Sequence, residues 1–230
     1  MTPEPAEGML VNLYERSLRL TPEQIGDALR AGRAPGDRGF DRFLPEDLQR
    51  LSSSYWTPLS VAVRAARWFA DLDVGTVLDV GSGAGKFCVA TALAGGCRVI
   101  GIEQRPRLVE AARALAELFG VEDRVSFIEG SLGEAPLPEA DAYYLFNPFG
   151  ENLYEADGWI APDVELSDAR YERDVSAAEA VLRDAPVGSF VVTYNGFGGR
   201  VPWYYREVRV DRELPSVLRM WQKTVGLSAR

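Results

Sequence analysis

Residues 77–85 read Val-Leu-Asp-Val-Gly-Ser-Gly-Ala-Gly, an apolar strand running straight into a glycine-rich turn, with a helix following from Lys86. That order builds a binding crevice at the carboxyl edge of a parallel sheet, where the next helix offers its N-terminal amides. Gly81, Gly83 and Gly85 fall at every second position. They are expected to keep side chains off the turn, so that a ligand approaches the main chain closely.

The rest of the chain can be placed relative to this turn. Residues 9–20 have helical spacing, and Thr21-Pro22-Glu23-Gln24 reads as an N-cap, a first-turn proline and a capping-box partner for a helix ending near Ala31. Residues 32–39 read as a loop and 45–51 as a short helix. After a break at 52–56, Thr57 and Pro58 look like the cap and first position of a helix reaching Ala70. Strands are then expected at 76–80, 98–102, 125–128, 140–146 and 187–194. Helices are expected at 85–94, from Pro106 to the C′ glycine Gly120, and at 168–184. The tail, at 203–210 and 217–224, looks like two antiparallel strands. Such alternation predicts an α/β fold: a doubly wound, mainly parallel, seven-stranded sheet over residues 55–230, with an N-terminal helical extension over 1–54.

Composition narrows the chemistry. There is no histidine, which removes Ser-His-Asp and Cys-His catalysis and histidine-containing zinc sites. Cys88 and Cys97 form no ligand cluster, so no metal is expected and a reduced, cytoplasmic setting fits. The N-terminus lacks the pattern of a signal peptide, and no apolar run approaches the roughly 20 residues needed to span a bilayer. A net charge of −9 disfavours standing association with DNA or with an anionic membrane. Arg200, Trp203, Tyr204, Tyr205, Arg206 and Arg209 interleave bases with aromatics, and an amphipathic strand near the carboxyl edge accounts for them better than a stacking surface for RNA.

Register separates the motifs that compete for the turn. A phosphate-binding P-loop requires a glycine where this chain has Val80 and a hydroxyl residue where it has Phe87. The dinucleotide pattern needs a third glycine where Lys86 stands. What remains is Asp-x-Gly-x-Gly-x-Gly, with the Asp79 carboxylate beside the turn. That charge repels a pyrophosphate and attracts an ammonium or sulfonium group. Glu103 closes the second strand, where a carboxylate can accept hydrogen bonds from both hydroxyls of a ribose.

With these residues in view, the stretch from Tyr55 to about Thr193 resembles the class I S-adenosylmethionine-dependent methyltransferases, whose fold is Rossmann-like. Residues 77–85 resemble the first motif of that family, Gly101-Ile102-Glu103-Gln104 its ribose-binding strand end, and Gly130-Ser131-Leu132 the loop flanking the adenine, although many relatives have Asp in place of Ser131. The resemblance implies S-adenosyl-L-methionine as cofactor. Gly81 and Gly83 would border its methionine part, with Ser82 and Gly85 also at the cofactor, Asp79 would lie near its amino group, Glu103 and Gln104 at its ribose, and Ser131 and Leu132 at its adenine.

Asn147-Pro148-Phe149 ends the fourth expected strand, across the crevice from the glycine turn. It resembles the Asn/Asp-Pro-Pro-aromatic motif of methyltransferases acting on amino or amide nitrogens, in which the Asn side chain and an adjacent carbonyl accept N–H bonds. Here Phe149 stands in the place of the second proline and Gly150 in that of the aromatic. Tyr55-Trp56-Thr57-Pro58 resembles the Phe-Tyr-Thr-Pro element of adenine-amino methyltransferases, which places Trp56 and Thr57 at the cofactor. The expectation is therefore methyl transfer to a nitrogen of a small-molecule, protein or RNA acceptor, with Asn147, Pro148 and Phe149 at the reacting centre. Trp56, Phe149, Tyr154 and Trp159 would shape the acceptor pocket. Two alternatives stay open: a non-catalytic cofactor-binding sensor or partner subunit, and an NAD-dependent oxidoreductase on the same sheet.

Overall fold

In a β-strand successive side chains point to opposite faces, so a strand that is apolar throughout needs cover on both. That requirement organises the computed structural model, which describes residues 19–134 and 136–225. The strands are β1 (Thr76–Val80), β2 (Arg98–Glu103), β3 (Val125–Glu129), β4 (Ala142–Leu145), β5 (Phe190–Tyr194), β6 (Tyr205–Asp211) and β7 (Leu218–Lys223). They form one sheet in the order β3-β2-β1-β4-β5-β7-β6. The first five pair in parallel, and β7 runs antiparallel to both β5 and β6.

The helices are α1 (Pro22–Arg30), α2 (Asp37–Asp41), α3 (Glu46–Gln49), α4 (Ser52–Tyr55), α5 (Leu59–Asp71), α6 (Lys86–Gly95), α7 (Pro106–Leu118) and α8 (Asp168–Asp184). Val77, Val99, Tyr144 and Val192 bury one sheet face in a cluster with α1, α5, α6 and α7. The intervening Leu78, Ile100, Tyr143 and Val191 bury the other against Ala178 and Leu182 of α8. Helix α6 is buried from Lys86 to Leu93, as its apolar circumference requires.

The capping box of α1 forms as expected, with Gln24 N donating to Thr21 Oγ1 at 3.3 Å and Thr21 N to Gln24 Oε1 at 2.9 Å. Ile25, Leu29, Phe40, Leu44 and Leu48 of the N-terminal helices join the core cluster of α5–α7, and Phe40 stacks on Phe119 with centroids 4.8 Å apart. The helix expected at 9–20 lies outside the described residues.

Several local expectations are corrected. Thr57 does not cap α5: Pro58 stands at the N-cap, the Leu59 amide donates to Asp37 Oδ1 at 2.9 Å, and the Thr57 hydroxyl bonds Tyr144 Oη instead, at 3.0 Å. The loop expected at 32–39 ends early because α2 starts at Asp37, and the break at 52–56 contains α4. The Trp203–Tyr205 aromatics lie at the amino edge of the sheet, because β6 runs parallel to β5 and Tyr205 pairs with Lys223, beside Phe190 at the start of β5. Tyr204 and Tyr205 are buried there, whereas Trp203 is 82% exposed. Among the described residues no helix is long and apolar enough to cross a membrane.

Candidate functional site

The glycine turn between β1 and α6 is left-handed at Gly81, Gly83 and Gly85, with φ of 71°, 54° and 78°. The space their missing side chains leave is taken by the protein rather than kept for a ligand. A Cβ on Gly81 would lie 2.8 Å from Pro148 Cβ, one on Gly83 2.4 Å from the Trp56 indole, and one on Gly85 2.8 Å from both Ala112 and Phe127. The turn's amides are also engaged. Gly81 N and Ser82 N donate to Ile102 O at 3.0 Å, and Gly83 N donates to Glu103 Oε2 at 3.0 Å. A turn with these amides satisfied, flanked by two carboxylates, is poorly suited to a phosphate.

Those carboxylates sit on adjacent strands. Asp79 projects to the helical face and accepts the Cys88 thiol at 3.2 Å. Burial raises its pKa to about 7, the thiol opposes that shift and the charge of Glu103 adds to it. Glu103 accepts Gly83 N through Oε2 and the Arg105 amide through Oε1 at 2.9 Å. Its pKa is also raised by burial, against the pull of those amides and of the Arg105 charge. Each oxygen accepts one amide hydrogen bond and Glu103 lines the crevice, so it has acceptor capacity left for a diol.

Trp56, Gly81, Gly83, Glu103 and Gln104 line one crevice, which continues to Ser131 and Leu132 at one end and to Asn147, Pro148 and Phe149 at the other. Thr57, Asp79 and Ser82 line a recess beside it with Lys86 and Tyr144. Ser82 Oγ is buried without a hydrogen-bond partner. Gly85 borders neither space and serves helix packing. Tyr154 lines a separate hollow with Tyr55, Phe146 and Asn147, while Trp159 donates Nε1 to Tyr154 O at 2.9 Å. Of the four expected acceptor-pocket aromatics, then, Trp56 and Phe149 line the crevice and Tyr154 and Trp159 do not.

The crevice encloses about 90 Å³. Ligand pockets are roughly 300–1,000 Å³, so a nucleoside-sized ligand requires its walls to part. Two walls stand out. One is the Trp56 indole over Gly83. The other is the segment 150–163, held down by Arg105, whose guanidinium donates to Glu151 Oε1 and Asp163 Oδ1 at 2.9 Å each.

Asn147 has φ of 40°, a left-handed conformation that asparagine tolerates better than most residues. Its carbonyl accepts Gly150 N at 3.1 Å, and a Cβ on Gly150 would lie 2.2 Å from Asn147 Nδ2. The glycine in the aromatic's place thus gives the carboxamide room, and the carboxamide remains to serve the crevice.

Sequence reasoning missed Arg105, Lys86 and the pair Arg170–Asp174. Lys86 is 2% exposed and pairs with Asp37 at 2.7 Å and Asp41 at 2.8 Å, joining the N-terminal helices to the glycine turn. Arg105 meets partners 46 and 58 residues away. No periodic signal marks contacts at such distances; a lone charge in an apolar stretch of sequence hints at Lys86, and i,i+4 spacing on one helix at Arg170–Asp174.

Residues 73–148 match a methyltransferase domain family. The chain is 44% identical over 62 residues to a ribosomal protein L11 methyltransferase of Herpetosiphon aurantiacus, covering 27% of this chain and 19% of that protein. It is 34% identical over 97 residues to the protein arginine N-methyltransferase PRMT10 of Oryza sativa subsp. japonica, covering 38% and 25%. The chain therefore spans a quarter or less of the length of these two curated relatives. Among solved structures, an RNA methyltransferase from Salinibacter ruber in complex with S-adenosyl-L-homocysteine superposes with a TM-score of 0.53 at 23% identity, covering 76% of this chain and 97% of that one. An O-methyltransferase family 2 protein from Planctomyces limnophilus gives a TM-score of 0.51 at 20% identity, covering 80% and 62%. These structural likenesses are likenesses of fold.

Proposed function

We propose that this chain transfers a methyl group from S-adenosylmethionine to a nitrogen atom, because residues 73–148 match a methyltransferase domain family and lie in a sheet with the fold of solved methyltransferases. The cofactor, when bound, supplies a methyl carbon activated by a sulfonium sulfur. The donor set fits a cationic nucleoside: Asp79 and Glu103 bring negative charge, Glu103 retains acceptors for a diol, and the turn amides are engaged internally. The same features speak against a nicotinamide dinucleotide, whose pyrophosphate needs free turn amides.

In such a transfer the lone pair of an acceptor nitrogen would form the N–C bond at the expense of the C–S bond, whose electrons would return to sulfur. The nitrogen's surplus proton leaves to solvent. Positioning is what the protein must provide, and alignment of two reactants is worth roughly 7–11 kcal/mol in favourable cases. Asn147 is suited to that task, since its carboxamide oxygen can accept an acceptor N–H and so aim the lone pair. Pro148 fixes the backbone against Gly81, and Phe149, 7% exposed, closes the wall.

The observation that carries this reading is the meeting of the glycine turn, Glu103 and Asn147 in one crevice. Calorimetry with S-adenosylhomocysteine and with NAD tests the cofactor. Methyl transfer across amine, protein and RNA acceptors then tests the reaction. Asn147→Ala is expected to lower turnover by about 10²-fold or more while cofactor affinity changes little, in line with the cost of a misplaced reactant. Unaltered turnover would remove Asn147 from the reaction, and tight cofactor binding without product on any acceptor would favour a sensor or partner subunit.

A further inference from the structure

Past Glu103 the crevice ends in a second group of buried charges. The described residues between β3 and β4 form no helix, and α8 packs against that connection. A Cβ on Gly133 would be 3.2 Å from Ala177 Cβ, and Arg170 Nη1 is 3.8 Å from Glu134 Oε1. One turn beyond Arg170 on α8, Asp174 is 7% exposed and lines the crevice together with Gly130, Ser131, Leu132 and Arg170. Arg170 Nε donates to Asp174 Oδ1 at 2.9 Å and Oδ2 at 3.0 Å. This contact neutralises the carboxylate and fixes its plane, yet it uses only one lone pair of each oxygen.

A purine seated beyond Glu103 places its edge against these residues. An exocyclic amine buried there without an acceptor would be strongly disfavoured. The turn 130–132 contributes a hydroxyl, Ser131, but no carboxylate. We propose that Asp174 selects the cofactor's base by accepting a hydrogen bond from the adenine amino group, with Arg170 as the positioning residue that holds it. The assignment rests on the crevice being the S-adenosylmethionine site. It gives α8, an element outside the segment 73–148 that matches the methyltransferase family, a part in specificity.

The test compares S-adenosylhomocysteine with S-inosylhomocysteine, in which the amino group is replaced by a carbonyl oxygen that a carboxylate repels. In calorimetry the wild-type protein is expected to bind the adenine compound at least tenfold more tightly. Asp174→Asn, which keeps the shape and can donate to a carbonyl, is expected to bring that ratio to near one, with thermal unfolding measured alongside. A wild-type ratio of one overturns the proposal, and that measurement needs no variant. A folded Asp174→Asn protein that keeps the wild-type ratio also overturns it. If the wild type binds neither compound, the cofactor reading itself fails and this assignment with it.

Discussion

Replacing Asp79 with asparagine separates stability from function. The carboxyl is buried between β1 and α6, faces the Cys88 thiol and the charge of Glu103, and has its pKa raised from 3.8 to about 7. A rise of about three pH units corresponds to about 4 kcal/mol at 1.36 kcal/mol per unit. The direction follows from linkage. Below about pH 4 the group is neutral in both folded and unfolded chains and costs nothing. As pH rises toward 7 the unfolded chain ionises first, so the folded state loses stability, by up to about 4 kcal/mol above pH 7. In Asp79→Asn this loss is absent. The variant's stability relative to wild type should therefore improve by up to about 4 kcal/mol between pH 4 and pH 8. At about 2–4 °C per kcal/mol, this widens the melting-temperature difference by about 10 °C. Cofactor binding should move the other way. The ammonium group of a ligand beside Asp79 favours the ionised form, so wild-type affinity for S-adenosylhomocysteine, which carries that group but no sulfonium, should fall toward tenfold per unit as pH drops below 7, whereas the variant binds weakly with a flatter profile. Melting curves and calorimetry at four or five pH values measure both. A stability difference that stays constant from pH 4 to pH 8 would refute the argument, because it would mean that Asp79 ionises as readily in the folded chain as in the unfolded one.

Two further substitutions probe the frame around the site. Lys86→Met removes the partner of Asp41, a carboxylate whose pKa is raised by burial and pulled back by Lys86, and is expected to destabilise the protein by about 3–5 kcal/mol in urea unfolding; a change below 1 kcal/mol would show that water already reaches this network. Gly83→Ala must accept φ of 54° and a Cβ 2.4 Å from the Trp56 ring. It should cost more than the roughly 1–2 kcal/mol of left-handed strain alone, and Trp56→Ala in the same chain should relieve the excess, as a double-mutant cycle would measure.

The course of the chain was legible because it rests on short-range rules. Helix α8 has the bounds its 3.6-residue apolar spacing predicts, and α1 has the capping box that Thr21 and Gln24 announce. The antiparallel tail follows from alternation and turns, although its aromatics lie at the opposite sheet edge from the one expected, since sequence does not give a strand its direction in the sheet. Thr57 looked like a cap because Thr-Pro is a common helix start, but the Tyr144 hydroxyl, 87 residues away, is where its hydrogen bond goes.

For the site the division is sharper. The sequence alone placed Asp79, the three glycines and Glu103 at the carboxyl ends of two strands, since residues consecutive in the chain stay together in space. It even gave the register that argues against a phosphate. Only the tertiary structure decided what fills the glycine turn, namely Pro148 and Trp56, and which charges surround the crevice, namely Arg105 with Glu151 and Asp163, and Arg170 with Asp174. Most of these contacts join residues tens of positions apart, set by how strands order themselves and helices pack. Arg170 and Asp174 are an i,i+4 pair that helical spacing does record, but Arg105 meets its partners only after the fold has formed around it, so no local pattern in the chain records that choice.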